Sequence, residues 1–111
     1  MPIAKAIDLG FSTADAARPT IKYERSSVII SFVDWREEKV EVAFRDVIRF
    51  EWSDEPDDYF EGEPLDGTCV VRNSGWVPRS EVKCRHLRLN FNDCGGRLDI
   101  ACGSVEVREG C

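Results

Sequence analysis

Cys84 and His86 are the one sequence-local pair that could carry out nucleophilic chemistry, and His86 is the only histidine in the chain. Residues two apart on a strand share a face, and a neighbouring histidine can serve a cysteine as general base. The alternation that begins at Leu87 places His86 on the outward face, together with Arg88 and Asn90. Such pairs are common on strands by chance, and the sequence has no GxSxG, P-loop or GxGxxG pattern. We therefore predict no catalytic residue and a protein that is not an enzyme.

The cysteines are odd in number and widely spaced. They form no CxxC pair, the short spacing that structural zinc sites usually use, and an odd set cannot pair completely within one chain. We expect reduced thiols, no metal, no cofactor and a cytoplasmic location, because the first nine residues lack the apolar run of a signal peptide. Cys102 is predicted to be buried and Cys111 to be exposed. The five are Cys69, Cys84, Cys94, Cys102 and Cys111.

Carboxylates are concentrated in one part of the chain. Residues 37–66 carry twelve acids and three bases, a net charge of −9, whereas residues 1–36 carry +1 and residues 67–111 carry +2. Within the acidic part, residues 53–67 contain two prolines, two glycines and seven acids. This composition is typical of a loop, and we refer to residues 53–67 as the acidic loop.

The acidic loop has three possible roles. Like charges can keep a loop solvated and prevent edge-to-edge strand pairing, or they can attract and select a basic protein partner. Calcium binding is the third, although the carboxylates do not follow the order of an EF-hand loop. The aromatic pair Tyr59 and Phe60 could anchor an interface or pin the loop to the sheet. The predicted partner-binding residues are Trp35, Asp54, Glu55, Asp57, Asp58, Tyr59, Glu61 and Glu63.

Length and composition restrict the class of protein. A chain of 111 residues with 42% apolar residues is predicted to form one domain, residues 1–111, with its own core. The net charge of −6 excludes a generally basic nucleic-acid binder. No stretch approaches the roughly 20 apolar residues of a membrane span. We expect neither a nucleic acid nor a membrane as partner, and the oligomeric state stays open.

Period-two alternation indicates strands along most of the chain. We predict a mainly β fold, a single antiparallel sandwich or barrel-like domain of about seven or eight strands. At most two short helices are expected, at residues 12–17 and 78–83, and the alternative is an α+β fold in which one helix covers an antiparallel sheet. Ile48, Phe50 and Trp52 are expected in the core. The strand segments begin at Ile21, Val28, Val40, Ile48, Cys69, Leu87, Leu98 and Val105.

The last thirty residues are predicted to form a three-strand meander. A loop at residues 92–95 pairs Phe91 with Gly96, Leu89 with Leu98 and Leu87 with Ile100, so that both apolar sets face inward. The alternative is a six-residue loop that pairs Phe91 with Leu98 and keeps the same faces. Arg88, Asn90 and Asp99 then face outward.

Three segments together resemble a known kind of protein: VDWREEKVEVAFRDVIRFEW, NSGWV and HLRLNFNDCGGRLDI. They look like small uncharacterised bacterial proteins of the immunity or antitoxin type, over residues 28–107. The resemblance implies a non-enzymatic binding protein and carries over no site residue. The concentration of negative charge predicts that residues 37–66 contact a basic protein such as a nuclease-type toxin. The alternative is a small-ligand-binding or enzymatic β-barrel, which a deep apolar pocket lined by His86, Cys84 or carboxylates would favour.

Overall fold

Nine antiparallel strands build two sheets in the computed structural model, which describes residues 2–13, 16, 18–56, 58–64, 67–91 and 95–109. The first sheet has the order β1-β6-β7-β8-β5 and the second the order β2-β3-β4-β9. The strands are β1 Ile3–Ile7, β2 Thr20–Glu24, β3 Ser27–Val33, β4 Lys39–Arg45, β5 Arg49–Ser53, β6 Gly67–Arg72, β7 Arg85–Phe91, β8 Gly96–Cys102 and β9 Ser104–Glu109.

The core lies between the two sheets, where their inward side chains interlock. Phe32 of β3 and Phe91 of β7 meet edge to face, with ring centroids 5.4 Å apart. Leu89 and Leu98 have no exposed surface. Burying a large apolar side chain contributes about 1.5–3 kcal/mol, so this interface between the sheets is the main source of stability.

The predicted fold class is confirmed. The protein is an all-β sandwich, and no helix occurs in the described part of the chain. The one strand that was not predicted is β1, whose short apolar pattern, IAKAI, is rich in alanine. Residues 78–83, where a short helix was expected, form two successive turns. The N–H of Glu81 donates to the carbonyl of Pro78, and the N–H of Cys84 donates to the carbonyl of Glu81. The other expected helix falls partly on residues 14, 15 and 17, which lie outside the described residues.

The predicted register of the β7–β8 hairpin is confirmed. Leu87 pairs with Ile100, Leu89 with Leu98 and Phe91 with Gly96. The predicted three-strand meander is wrong, because β9 pairs with β4 in the second sheet. The chain changes sheets at Gly103, whose N–H donates to the carbonyl of Arg45.

The expected burial of β5 is only partly correct. Trp52 packs against the core, but Ile48 and Phe50 are 43% and 37% exposed. The reason is that β5 is an edge strand of the first sheet. The Phe50 ring stacks on Tyr23, which lies on β2 at the edge of the second sheet, with centroids 5.3 Å apart.

Candidate functional site

The outer face of the first sheet carries charged side chains that are buried. On β7 and β8, Arg88 is paired directly with Asp99, and Asn90 with Arg97. All four are at most 6% exposed. The prediction that Arg88, Asn90 and Asp99 face outward is confirmed, but these side chains are not exposed to water. They do point away from the core, as the alternation requires, but another part of the chain covers them.

The covering segment is the acidic loop, and Glu63 is its main contact with the sheet. Its carboxylate accepts hydrogen bonds from Arg88 Nη1 at 2.7 Å, Arg97 Nη2 at 3.0 Å and Asn90 Nδ2 at 3.0 Å. The Glu63 side chain has no exposed surface. A carboxylate excluded from water needs this many donors, because an unpaired buried charge is strongly unfavourable.

The aromatic residues of the loop lie over the same two arginines. The guanidinium of Arg88 sits 4.1 Å from the centre of the Phe60 ring, and that of Arg97 sits 4.8 Å from the centre of the Tyr59 ring. Asp58 adds a 3.0 Å ion pair to Arg97. Arg88 and Arg97 thus fix both the acidic and the aromatic residues of the loop, through charge-assisted hydrogen bonds and cation–π contacts.

A backbone contact with β1 holds the loop at the edge of the sheet. The N–H of Ala4 donates to the carbonyl of Glu61 at 2.9 Å, and Ile3 forms an isolated parallel bridge with Glu61. The next residue, Gly62, has a φ of +85°, and a Cβ there would overlap the carbonyl oxygen of Ala4. Only glycine fits this close approach without strain.

The predicted partner-binding residues fall into three groups. Glu63 faces inward and forms ion pairs with Arg88 and Arg97, so in this conformation it cannot contact a partner. Asp57 lies outside the described residues. The remaining six have exposed side chains: Trp35, Asp54, Glu55, Asp58, Tyr59 and Glu61.

Trp35 stands at the tip of the β3–β4 turn, which Asp34 holds in place. The Asp34 carboxylate accepts from the backbone N–H groups of Arg36 and Glu38, at 2.9 and 3.0 Å. Burial alone would raise the pKa of Asp34, but these bonds and the Arg36 side chain lower it below its ordinary value. Trp35 is 60% exposed and lines a cleft of about 490 Å³ with Gly67, the last residue of the acidic loop.

His86 belongs to a buried hydrogen-bonded chain that the sequence did not reveal. Its Nε2 lies 2.8 Å from Asp99 Oδ1, and its Nδ1 lies 2.7 Å from Ser74 Oγ. Because the Asp99 carboxylate can only accept, Nε2 donates to it; in the neutral imidazole Nδ1 then accepts from the Ser74 hydroxyl. Burial would raise the pKa of Asp99, but bonds from His86 and Arg88 lower it below its ordinary value.

The arrangement of Ser74, His86 and Asp99 has the residue types of a hydrolase triad. A general base must also deliver its proton to a leaving group. Here the imidazole is 1% exposed and Trp76 stacks on its face, with centroids 4.5 Å apart. The geometry therefore suits the positioning of the Ser74 turn better than catalysis.

The alternative dyad of Cys84 with His86 is not formed. Both residues line one cleft, but the Cys84 Sγ lies 3.9 Å from the Asp46 carbonyl oxygen, whereas both His86 nitrogens are bonded elsewhere. Cys69, Cys84 and Cys102 are free thiols. Within the described residues, no group of His, Cys, Asp and Glu is arranged to hold a metal ion.

No protein-family model, curated protein or solved structure matches this chain. In the part of the chain that the structure describes, no helix is long and apolar enough to cross a membrane.

Proposed function

We propose that this protein is a non-enzymatic protein-binding domain of the immunity or antitoxin type, and that its acidic loop recognises a basic protein such as a nuclease-type toxin. The observation that carries the proposal is the attachment of the loop to the sheet through Arg88 and Arg97. With Glu63 turned inward, Tyr59 remains 58% exposed beside the exposed carboxylates of Asp58 and Glu61.

A fixed loop favours binding because less conformational entropy is lost when the complex forms. Tyrosine is enriched among residues that dominate interface energies. The surrounding carboxylates would accelerate encounter with a basic partner and disfavour acidic ones. Trp35 supplies a second exposed aromatic side chain on an ordered turn. Free thiols at Cys69, Cys84 and Cys102 suit the reducing cytoplasm that we propose as its location.

The test compares Glu55→Gln/Glu61→Gln with a matched control, Glu24→Gln/Glu81→Gln. Each variant removes two exposed negative charges, but only the first changes the loop. Tagged protein is used to capture partners from the source cells at low and high salt. A captured basic protein is then purified and titrated against each variant by calorimetry.

We expect the loop variant to bind the purified partner about tenfold more weakly than the control, with a smaller salt dependence, because surface charges govern steering. Equal affinity of the two variants would contradict the proposal. So would the absence of any basic protein that binds again after purification.

A further inference from the structure

A second cleft, of about 550 Å³, lies at the end of the first sheet, where β6 ends and β7 begins. Arg72 is the last residue of β6 and Arg85 the first of β7. Val71 pairs with His86, so Arg72 and Arg85 follow as the next opposed positions. Arg79 enters from the connecting segment, and all three arginines line the cleft.

The charge of this cleft is opposite to that of the protein. The chain has 21 acids and 15 lysines and arginines, yet no acidic side chain is among the described residues that line the cleft. Glu81, the acid of the connecting segment, lines a different cleft. Arg72, Arg79 and Arg85, all of them exposed, therefore line one cleft whose described wall contains no carboxylate.

Most other arginines of the structure have an acidic partner. Arg18, Arg36, Arg45 and Arg108 are exposed and ion-paired, and Arg88 and Arg97 are buried and ion-paired. Among the described residues, Arg72, Arg79 and Arg85 make no ion pair. Like charges gathered in one cleft repel each other, and an anion bound between them would remove that repulsion.

The turn around Ser74, which forms one wall of the cleft, is held in place by hydrogen bonds. Asn73 and Gly75 both have positive φ, +62° and +82°, which turns the chain sharply at Ser74. The Ser74 Oγ is held by His86 Nδ1 at 2.7 Å and accepts from the N–H of Trp76 at 3.3 Å. The buried Asp99–His86–Ser74 chain thus anchors the turn, so the cleft does not have to be ordered by a ligand.

We propose that this cleft binds a small anionic ligand that carries a phosphate or carboxylate group. Guanidinium groups match both anions, since they donate two parallel hydrogen bonds and stay charged at every physiological pH. The site lies apart from the exposed face of the acidic loop and does not depend on the proposed protein-binding function. A volume of about 550 Å³ is within the range of small-molecule sites.

Calorimetric titration of the whole protein at low ionic strength tests this proposal, with inorganic phosphate and succinate as separate probes. We expect saturable binding of at least one probe. Arg72→Gln/Arg79→Gln should weaken it by about tenfold or more, as expected for the loss of charge-assisted hydrogen bonds. A preference for phosphate or for succinate assigns the ligand class.

The matched control is Arg18→Gln/Lys22→Gln, which removes two positive charges whose side chains are 61% and 73% exposed. Thermal unfolding verifies that both variants are folded, and Arg85→Gln provides a second variant at the site. Affinities that stay equal in the cleft and control variants would overturn the proposal, as would the lack of saturable binding to either probe.

Discussion

Glu63 and Arg97 form a 3.0 Å ion pair in which the two side chains are 0% and 1% exposed. The pair joins the acidic loop to β8, across 34 residues of sequence. Arg88 donates to the same carboxylate, so one buried anion neutralises part of the charge of two buried cations. This pairing explains why an acidic loop lies on the sheet and does not extend into water.

Removal of Glu63 should be strongly destabilising. Glu63→Ala leaves two buried guanidinium groups without their shared partner, and the loss of one member of a buried ion pair typically costs about 3–5 kcal/mol. Glu55→Ala is the control, since an exposed acid of the same loop should change the free energy of unfolding by no more than about 0.5 kcal/mol. Urea denaturation measures both. A loss below about 1 kcal/mol in Glu63→Ala would show that the buried pairing does not stabilise the fold.

The contact between Gly62 and β1 gives a second prediction. Gly62→Ala introduces a Cβ that overlaps the Ala4 carbonyl oxygen, in addition to the strain of a positive φ. Gly10→Ala is a matched control, because Gly10 also has a positive φ, +94°, but open space around it. The control should lose about 1–2 kcal/mol from φ strain alone, and Gly62→Ala should lose more.

Hydrogen exchange locates the effect. The amide of Ala4 donates to Glu61, so its protection should fall in Gly62→Ala and stay unchanged in Gly10→Ala. Equal losses of stability in the two variants, with Ala4 still protected, would mean that the loop edge moves freely enough to accommodate the methyl group.

The sequence predicted the hairpin of β7 and β8 because its determinants are local. Leu87, Leu89, Leu98 and Ile100 alternate with polar residues, and a one-residue shift would expose an entire apolar set. The same alternation did not reveal that the outer face is covered. Polar character placed Arg88 away from the core but could not show that Glu63 lies over it, since that contact depends on the path of a distant loop.

The predicted register already contained one contact of the site, the pairing of Arg88 with Asp99. Opposite charges directly across a sheet attract each other. The contact of Ser74 with His86 could not be predicted from the sequence, because it depends on the left-handed turn at Asn73 and Gly75. The crossing of β9 to the second sheet was missed for a similar reason, since a three-strand meander and a crossover have the same alternation.

The low pKa of Asp99 predicts an acid-sensitive contribution to stability. Burial would raise the pKa of Asp99, but the bonds from His86 and Arg88 bring it below its ordinary value. A carboxyl group with a lowered native pKa stabilises the fold above its unfolded pKa of about 3.9, and this contribution is lost as the pH falls through the native pKa. Asp99→Asn should therefore be less stable than the native protein at pH 7, by a margin that shrinks below about pH 4.

Urea denaturation of both proteins between about pH 3 and pH 7 measures that margin. Carboxylates far from Asp99 titrate equally in the two proteins, so the difference reports Asp99 together with His86 and Arg88, which contact it. Asp54→Asn, which changes an exposed aspartate, serves as the control and should show a small margin at every pH. A margin for Asp99→Asn that does not depend on pH would contradict the assigned pairing.

The thiols should react in an order set by burial. Burial raises the pKa of Cys69 and of Cys102 to about 11, so both stay protonated and shielded at pH 8. Cys84 is only partly buried, although burial raises its pKa as well. Alkylation of the native protein, followed by peptide mass spectrometry, should label Cys84 before Cys69 and Cys102. Labelling of either buried thiol at the rate of Cys84 would contradict the packing of β6 or β8. The expected exposure of Cys111 falls outside the described residues.

The last prediction concerns Ser74, whose hydroxyl oxygen lies 2.7 Å from Nδ1 of His86, a histidine that Asp99 orients. If this chain were catalytic, a fluorophosphonate would phosphonylate Ser74. We expect no labelling, because Trp76 stacks on the imidazole and Arg49 lies 4.0 Å from the Trp76 ring centre. The imidazole itself is 1% exposed, so little of its surface is open to a leaving group.

Mass spectrometry after incubation with the probe measures this, with an active serine protease as positive control. Trp76→Ala removes the cover from His86 and tests whether burial is the cause, and Ser74→Ala identifies the modified residue. Labelling confined to Trp76→Ala would support the role of Trp76 as a cover. Stoichiometric labelling of the native protein, abolished in Ser74→Ala, would show that Ser74 is a reactive nucleophile and that the protein is not the purely binding domain proposed above.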